Sequence, residues 1–310
     1  MTRVAPGYHY EFEDLGDGVA FGRARAEGTG LSNTGVIRLD ESPLIFDTSL
    51  TLHSAREIRT TCRTLTGREP ALSVNSHWHF DHVLGNQVFA DRPIYASRRT
   101  AEILLEKRAE MESELTREKL ESEIRELERQ QASCSTESGR ARFDAVLRVN
   151  RTLLEEVVEL KLVYPTERFE AELALPGGLG ARLLNWGAGH TESDTVLYLA
   201  KSRILFAGDL VVAGTHPNLT SGDPEHWLTV LGKIEELHPE RIVPGHGPLS
   251  TADQLSVMKD YLSTIIELAH VAGEPEMPQR FRSWTEPDQF VGNLAYARAR
   301  SSSNGRATPR

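Results

Sequence analysis

The sequence predicts an α/β protein of two related halves, and three observations carry that expectation. Short strand-like runs and helical periods follow one another as strands–helix–strand–helix, first before and again after a long charged stretch. That stretch, residues 98–162, keeps helical spacing on both sides of a serine-rich break and interrupts the alternation. Several of the strand-like runs end on loops that place histidine or aspartate beside glycine.

Taken in order, Tyr8 to Asp14 and Gly18 to Ala24 read as strands around a Gly-Asp-Gly turn at 16–18. Leu31 to Leu39 and Pro43 to Phe46 form a second strand pair, broken at Asp40-Glu41-Ser42. Leu52 to Leu65 is a helix with Leu52, Ala55, Ile58, Cys62 and Leu65 on one side, and Gly67 stops it. Ala71 to Asn75 is a short strand, His82 to Ala90 reads as helical, and Ile94 to Ala96 is strand-like after Pro93. From Arg98 to Gln131 the chain is dense in Glu, Arg and Lys, with a thin apolar seam at Leu104, Met111, Leu115, Leu120, Ile124 and Leu127. After a serine-rich break, Phe143 to Lys161 resumes helical spacing with a richer apolar face. Residues 98–162 are therefore expected to be an inserted helical hairpin: a lid, a homodimer contact or a neutral elaboration. Strand signals return at Phe169–Ala174, Arg182–Trp186, Thr195–Ala200 and Ile204–Phe206. Asp223 caps a helix with Pro224 at its first position, running to Leu237. Ile242-Val243 is a buried strand and Leu249–His270 a helix. The expected organisation is one domain over residues 1–270, a C-terminal extension over 271–300 and a disordered polar tail over 301–310.

Composition narrows the function classes. A chain of 310 residues can bury a sizeable core, and 39% hydrophobic with 26% charged residues is ordinary for a globular protein. A net charge of −10 argues against a nucleic-acid surface. No stretch approaches the roughly 18 consecutive apolar residues of a membrane span, and Met1 to Tyr10 lacks a signal-peptide pattern. Cys62 and Cys134 lie far apart and outside any metal spacing; free thiols in a reducing cytoplasm are the expectation.

The chemistry concentrates in Asn75 to His82, reading Asn-Ser-His-Trp-His-Phe-Asp-His. His77, His79, Asp81 and His82 supply imidazole nitrogen and carboxylate oxygen, the donors that zinc prefers. Such a set arises by chance on the order of once per million windows, so the motif carries weight over a merely polar loop. Four donors on one turning segment suit two ions better than one, and two ions need more ligands. Three later positions supply them, each after a strand and beside glycine: His190 in Gly189-His190-Thr191, Asp209 in Gly208-Asp209, and His246 in Gly245-His246-Gly247.

These residues resemble the pattern of the metallo-β-lactamase superfamily: His-x-His-x-Asp-His, then a histidine, an aspartate and a histidine. The resemblance covers roughly residues 15–250 apart from the insertion. It implies an αβ/βα sandwich with the metals at one edge. It also implies that His77, His79 and His190 hold one ion, that Asp81, His82 and His246 hold a second, and that Asp209 bridges them. Two Zn2+ per chain are the expected cofactors, with iron or manganese as alternatives. Two cations roughly 3.5–4 Å apart share a water and lower its pKa, and the hydroxide attacks a carbonyl or phosphoryl centre. Asp81 is the expected catalytic residue, a ligand that also orients the nucleophile and passes a proton to the leaving group. Asp47, Ser76, Thr191 and Asp194 flank the ligand loops and are expected to fix imidazole orientation, though each is equally a cap or turn residue.

Departures within the family select among its reactions. The best-known zinc β-lactamases carry cysteine where this chain has Asp209, which instead resembles hydroxyacylglutathione hydrolases, lactonases and ribonuclease Z. The C-terminal basic pattern of the thioesterases, the tyrosine of quorum-signal lactonases and the basic surface of ribonuclease Z are not matched. The expected function is a hydrolase of a small ester, thioester, lactone or amide, with weak β-lactam turnover as a side activity. Alternatives are a mononuclear iron persulfide dioxygenase, and a sensor or effector whose metal site binds a ligand without turnover. The expected partner is a small-molecule substrate, with no nucleic acid and no membrane. His216, Asn218 and Trp78 are candidate substrate contacts, against a surface loop for the first two and packing for the third.

Overall fold

The computed structural model describes residues 3–304 of the chain. It divides into two compact units, Met1–Phe169 and Glu170–Arg310. Unit 1 is built on an eight-stranded sheet whose strands lie in sequence order. The strands β1 (Arg3–Pro6), β2 (Tyr10–Gly16), β3 (Val19–Ala24), β4 (Thr34–Leu39) and β5 (Ser42–Phe46) pair antiparallel. Asp17 and Gly18 join β2 to β3, both at positive φ (54° and 77°), as a two-residue hairpin twisted with its strands requires.

The rest of unit 1 is parallel and needs crossovers. The first is α1 (Leu52–Thr66). Thr51 caps it in a reciprocal arrangement with Ser54, and Gly67 ends it in the left-handed region at φ 72°. Leu52, Ala55, Ile58 and Cys62 are buried along it, at the spacing the sequence predicts. Each buried leucine or isoleucine contributes about 1.5–3 kcal/mol. The chain returns through β6 (Leu72–Val74), turns through α2 (Phe80–Val83) and a 3-10 segment Leu84–Phe89, and re-enters the sheet as β7 (Ile94–Ser97). The helical reading of His82 to Ala90 thus divides into two short turns.

Residues 98–156 hold four helices, α3 (Arg98–Glu106), α4 (Arg108–Glu114), α5 (Arg117–Ser133) and α6 (Glu137–Glu156), where the sequence predicts two. The first expected helix breaks at Lys107 and again at Thr116, whose hydroxyl accepts the Lys119 N–H and starts α5 afresh. Helicity ends at Glu156, and a segment that opens with a turn leads to β8 (Glu167–Phe169). The seam residues find apolar partners: Leu120 packs with Leu50 and Leu84, joined by Val149 and Leu153 of α6. Leu104 and Met111 pack with Val83. At the end of α6 the buried Glu156 carboxylate accepts the backbone N–H groups of Leu52 and His53, both at 2.8 Å, and meets the His53 ring. The insertion therefore satisfies donors that the first turn of α1 leaves open.

Unit 2 carries a five-stranded sheet in the order β13-β12-β11-β10-β9. The expected strand Phe169–Ala174 is two: Phe169 ends β8 in the first sheet, and β9 (Glu172–Ala174) opens the second. β10 (Ala181–Asn185), β11 (Thr195–Leu199) and β12 (Ile204–Phe206) follow antiparallel. Then α7 (Pro224–Glu236), capped by Asp223, crosses over to the parallel β13 (Arg241–Val243). α8 (Asp253–Ala269) and α9 (Asp288–Asn304) complete the unit, whose core gathers Trp227, Tyr261, Phe281 and Phe290. α9 runs through 301–304, so that part of the expected tail is helical; 305–310 lie outside the described residues. Cys62 and Cys134 are both free thiols. Among the described residues no helix is long and apolar enough to cross a membrane.

Glu156→Ala should lower unfolding free energy by about 1–3 kcal/mol, because two buried N–H groups lose their acceptor. Urea denaturation followed by far-UV circular dichroism measures it; an unchanged midpoint would contradict the assignment.

Candidate metal centre

Strand register explains why the candidate ligands of unit 1 meet. β5 and β6 run parallel with Phe46 opposite Val74, so the residues leaving their C-terminal ends are neighbours. Asp47 leaves β5, its N–H bonded to the Val74 carbonyl at 2.8 Å, and Asn75-Ser76-His77 leaves β6. Asp47 is buried and sits at φ 61°, a strained setting for a residue with a side chain. Its Oδ1 accepts the Ser76 N–H at 2.7 Å, and its Oδ2 accepts the Ser76 hydroxyl and His82 Nδ1, both at 2.8 Å. With its hydrogen committed to Asp47, Ser76 Oγ accepts from His77 Nδ1 at 2.9 Å. One carboxylate thereby sets the tautomer of two histidines and leaves the Nε2 lone pairs of His77 and His82 as donors to a cation.

The ends of the motif are clamped as well. The Asn75 amide donates to the His82 carbonyl at 3.1 Å, and Thr48 donates to the same carbonyl from its N–H and its hydroxyl. Asn86 links Asn75, Thr48 and the Val163 carbonyl. Ser32, fully buried, donates its hydroxyl to the Asp81 carbonyl. His77 and His82 are buried, whereas His79 and Asp81 are half-buried. The His77 ring lies 4.7 Å from that of His79 and 4.1 Å from that of His82, centroid to centroid. Asp81 Oδ2 stands 3.5 Å from His82 Nε2.

Unit 2 repeats the logic. β12 and β13 run parallel with Phe206 opposite Val243, and Asp209 and His246 each lie three residues beyond those ends. Asp209 Oδ2 accordingly stands 3.4 Å from His246 Nε2 and 3.3 Å from His190 Nε2. A Cβ at Gly245 would fall 1.9 Å from Asp209 Oδ1, so only glycine leaves that carboxylate its place. The His190 loop is held by Thr191, whose N–H and hydroxyl bond to Asp194, the shortest contact 2.8 Å. Burial pushes the Asp194 carboxyl up to about 7, against the downward pull of the Thr191 hydrogen bonds. The Trp227 indole meets the His190 ring edge-on at 5.5 Å and donates to the Leu210 carbonyl at 3.0 Å.

The described residues thus include histidine and aspartate groups that can hold metal ions. The other expected contacts sit differently. His216 is buried, bonded to Tyr261 Oη at 3.0 Å and ringed by Trp284 and Phe290; burial lowers its pKa. Asn218 folds its carbonyl oxygen onto the N–H and hydroxyl of Thr220, as a turn does. Trp78 packs with Val83, Leu104 and Met111. Ser32, Thr48 and Asn86 are the residues that sequence reasoning missed. Isolated hydroxyl and amide residues carry no local pattern, and their partners lie 34–49 positions away or on the far side of the motif.

Comparison with known proteins gives a family match and a likeness of fold. A sequence profile described as the metallo-beta-lactamase superfamily matches residues 28–246. A curated protein of Caenorhabditis elegans, "Beta-lactamase-like protein 2 homolog", is 40% identical over 62 residues, 20% of this chain and 20% of its own length. The chain thus spans about a fifth of that relative. Among solved structures, the DIM-1 metallo-beta-lactamase superposes with TM-score 0.58 at 20% identity, over 83% of this chain and 98% of its own. A metallo-beta-lactamase from Pontibacter korlensis gives 0.58 at 19%, over 82% and 99%. These structural likenesses concern the fold, mixed α/β with two sheets flanked by helices, which is the class the sequence predicts.

Asp47→Asn replaces an acceptor by an amide donor facing Ser76 and His82. It should cost about 1–3 kcal/mol in the metal-free protein, measured by urea unfolding. A variant as stable as the parent would contradict the hydrogen-bond assignment.

Proposed function

The chain belongs to the metallo-beta-lactamase superfamily, and from that membership we propose that it is a dinuclear zinc hydrolase of a small ester, thioester, lactone or amide. One observation carries the reading above the others: the Asp47 carboxylate fixes the tautomers of His77 and His82 so that both offer Nε2. A polar loop without a cation would gain nothing from aiming two buried imidazoles in this way.

The donor set fits zinc. Imidazole and carboxylate are its ordinary protein ligands, and soft sulfur is absent from these seven positions. His77, His79 and His190 would hold one ion and Asp81, His82 and His246 the other, with Asp209 shared. Within unit 1 the His77 and His79 rings lie together and Asp81 stands beside His82, and within unit 2 Asp209 lies beside both His190 and His246, which supports that division. When bound, zinc supplies Lewis acidity, which lowers the pKa of water and polarises the attacked carbonyl.

The chain's own residues do the rest. Asp81 accepts the proton of the attacking water and delivers it to the leaving group. Its backbone is pinned by Ser32, and its side chain stays partly open to solvent. Asp209, fixed between His190 and His246, neutralises cationic charge without moving. Ser76 and Asp47 keep His77 and His82 from rotating as charge shifts. Asp209 stands where the best-known zinc β-lactamases have cysteine, which favours a carbonyl ester or thioester over a β-lactam as principal substrate.

A panel of thioesters, lactones, amides, β-lactams and phosphodiesters tests the reading. A chelator should abolish turnover of the accepted substrate and zinc should restore it. Asp81→Ala should lose about 10²–10⁴-fold in kcat while the metal-free protein melts as the parent does. Turnover that survives either treatment would refute the proposal.

A further inference from the structure

Two of the motif's histidines are steadied by Asp47 and Ser76, and the structure gives His79 a different neighbour. The Trp78 indole meets the His79 imidazole in a T-shaped contact, centroids 4.4 Å apart at 76°. Trp78 is itself held by the helical insertion. Leu104 of α3 and Met111 of α4 are buried against it, together with Val83 of α2, and Phe80, Leu162 and Tyr164 complete the cluster. Lys107, at the joint where α3 ends and α4 begins, places its ammonium 4.5 Å from the centre of the indole ring. A cation over an aromatic face is attracted by the ring quadrupole, and a bulky indole in an apolar cluster has little rotamer freedom.

We infer that Trp78 is the positioning residue of His79, and that the α3–α4 joint, through Leu104, Lys107 and Met111, sets the affinity of the ion that His79 would bind. The inference rests on the zinc-hydrolase reading and assigns Trp78 a role within it other than substrate contact. The physical argument is one of preorganisation. His79 is half-buried, and the orientational freedom of its ring is part of what binding a cation would cost. An indole locked by the insertion removes much of that freedom in advance. Replacing it with a smaller, flexible side chain returns the freedom to His79 and weakens one ion selectively. The insertion thereby acquires a role, tuning a ligand of the centre from outside the sheet.

The test is a chelator competition on the full chain loaded with zinc, reading the two equivalents separately, for the parent, Trp78→Leu, Trp78→Phe and Lys107→Met. Trp78→Leu should weaken one equivalent by about tenfold and leave the other in place, Trp78→Phe should stay within about threefold of the parent, and Lys107→Met, a partly exposed site, should fall between them. Urea unfolding of each metal-free variant accompanies the titration. An unchanged zinc affinity in Trp78→Leu overturns the inference. So does a loss shared equally by both equivalents and matched by a loss of metal-free stability, because that is what a merely structural tryptophan produces. A parent that binds no zinc is a separate outcome, which removes the underlying reading; parental binding of two equivalents with no response to Trp78→Leu removes this inference alone.

Discussion

The Asp47 carboxylate is the constraint on which the first half of the centre depends. It is buried, its backbone lies in the left-handed region, and it receives an N–H and a hydroxyl from Ser76 and the Nδ1–H of His82. A left-handed aspartate costs on the order of 1–2 kcal/mol. Hydrogen bonds to an ionised acceptor contribute about 1.5–3 kcal/mol each, which more than offsets it. The parallel register of β5 and β6 is what makes the contact possible, since it sets Asp47 beside Ser76 before any side chain is considered. Shifting that register by one residue would turn one strand's side chains to the opposite face and separate the carboxylate from the histidines.

The second half adds backbone crowding to a buried acceptor, Asp194, which holds the His190 loop through Thr191. Gly245 leaves room for the Asp209 carboxylate, and the absent side chain at Gly222 lets the chain pass within a Cβ's reach of the Gly189 and His190 carbonyls. Asp209 and His246 arrive at equal offsets from registered strand ends. The two halves thus solve one problem, fixing donors beside strand ends, with a buried acceptor in each, Asp47 in one and Asp194 in the other, and with close backbone approach at Gly245 and Gly222 added in the second.

Much of this is legible in the sequence, and the reasons are local. The helix α1 carries its apolar stripe, its capping pair and its terminal glycine within a span of 17 residues, Thr51 to Gly67. The seven candidate ligands declare themselves by residue type beside strand ends and glycines. What is not legible depends on distance along the chain. Glu156 caps a helix more than 100 residues earlier, and Ser32 holds a carbonyl 49 residues later. The helix α9 escapes notice because its buried face includes Asn293 and Ala297 alongside Phe290 and Leu294, so the apolar signal is diluted. Asn293 is there to bond Leu219, Pro217 and Tyr261, contacts that no periodicity announces. His216, which looks like a substrate contact when read alone, is a buried partner of the same Tyr261. One break within the insertion, between α4 and α5, follows from Thr116, a residue that caps as readily as it continues a helix.

The central claim is that His77, His79, Asp81, His82, His190, Asp209 and His246 together bind two zinc ions. Crystals of the zinc-loaded chain measured on either side of the zinc absorption edge test it most directly. The account predicts two anomalous peaks, one within bonding distance of Nε2 of His77 and the other of Nε2 of His82, with an Asp209 oxygen between them. A single peak, or peaks away from these side chains, would contradict it.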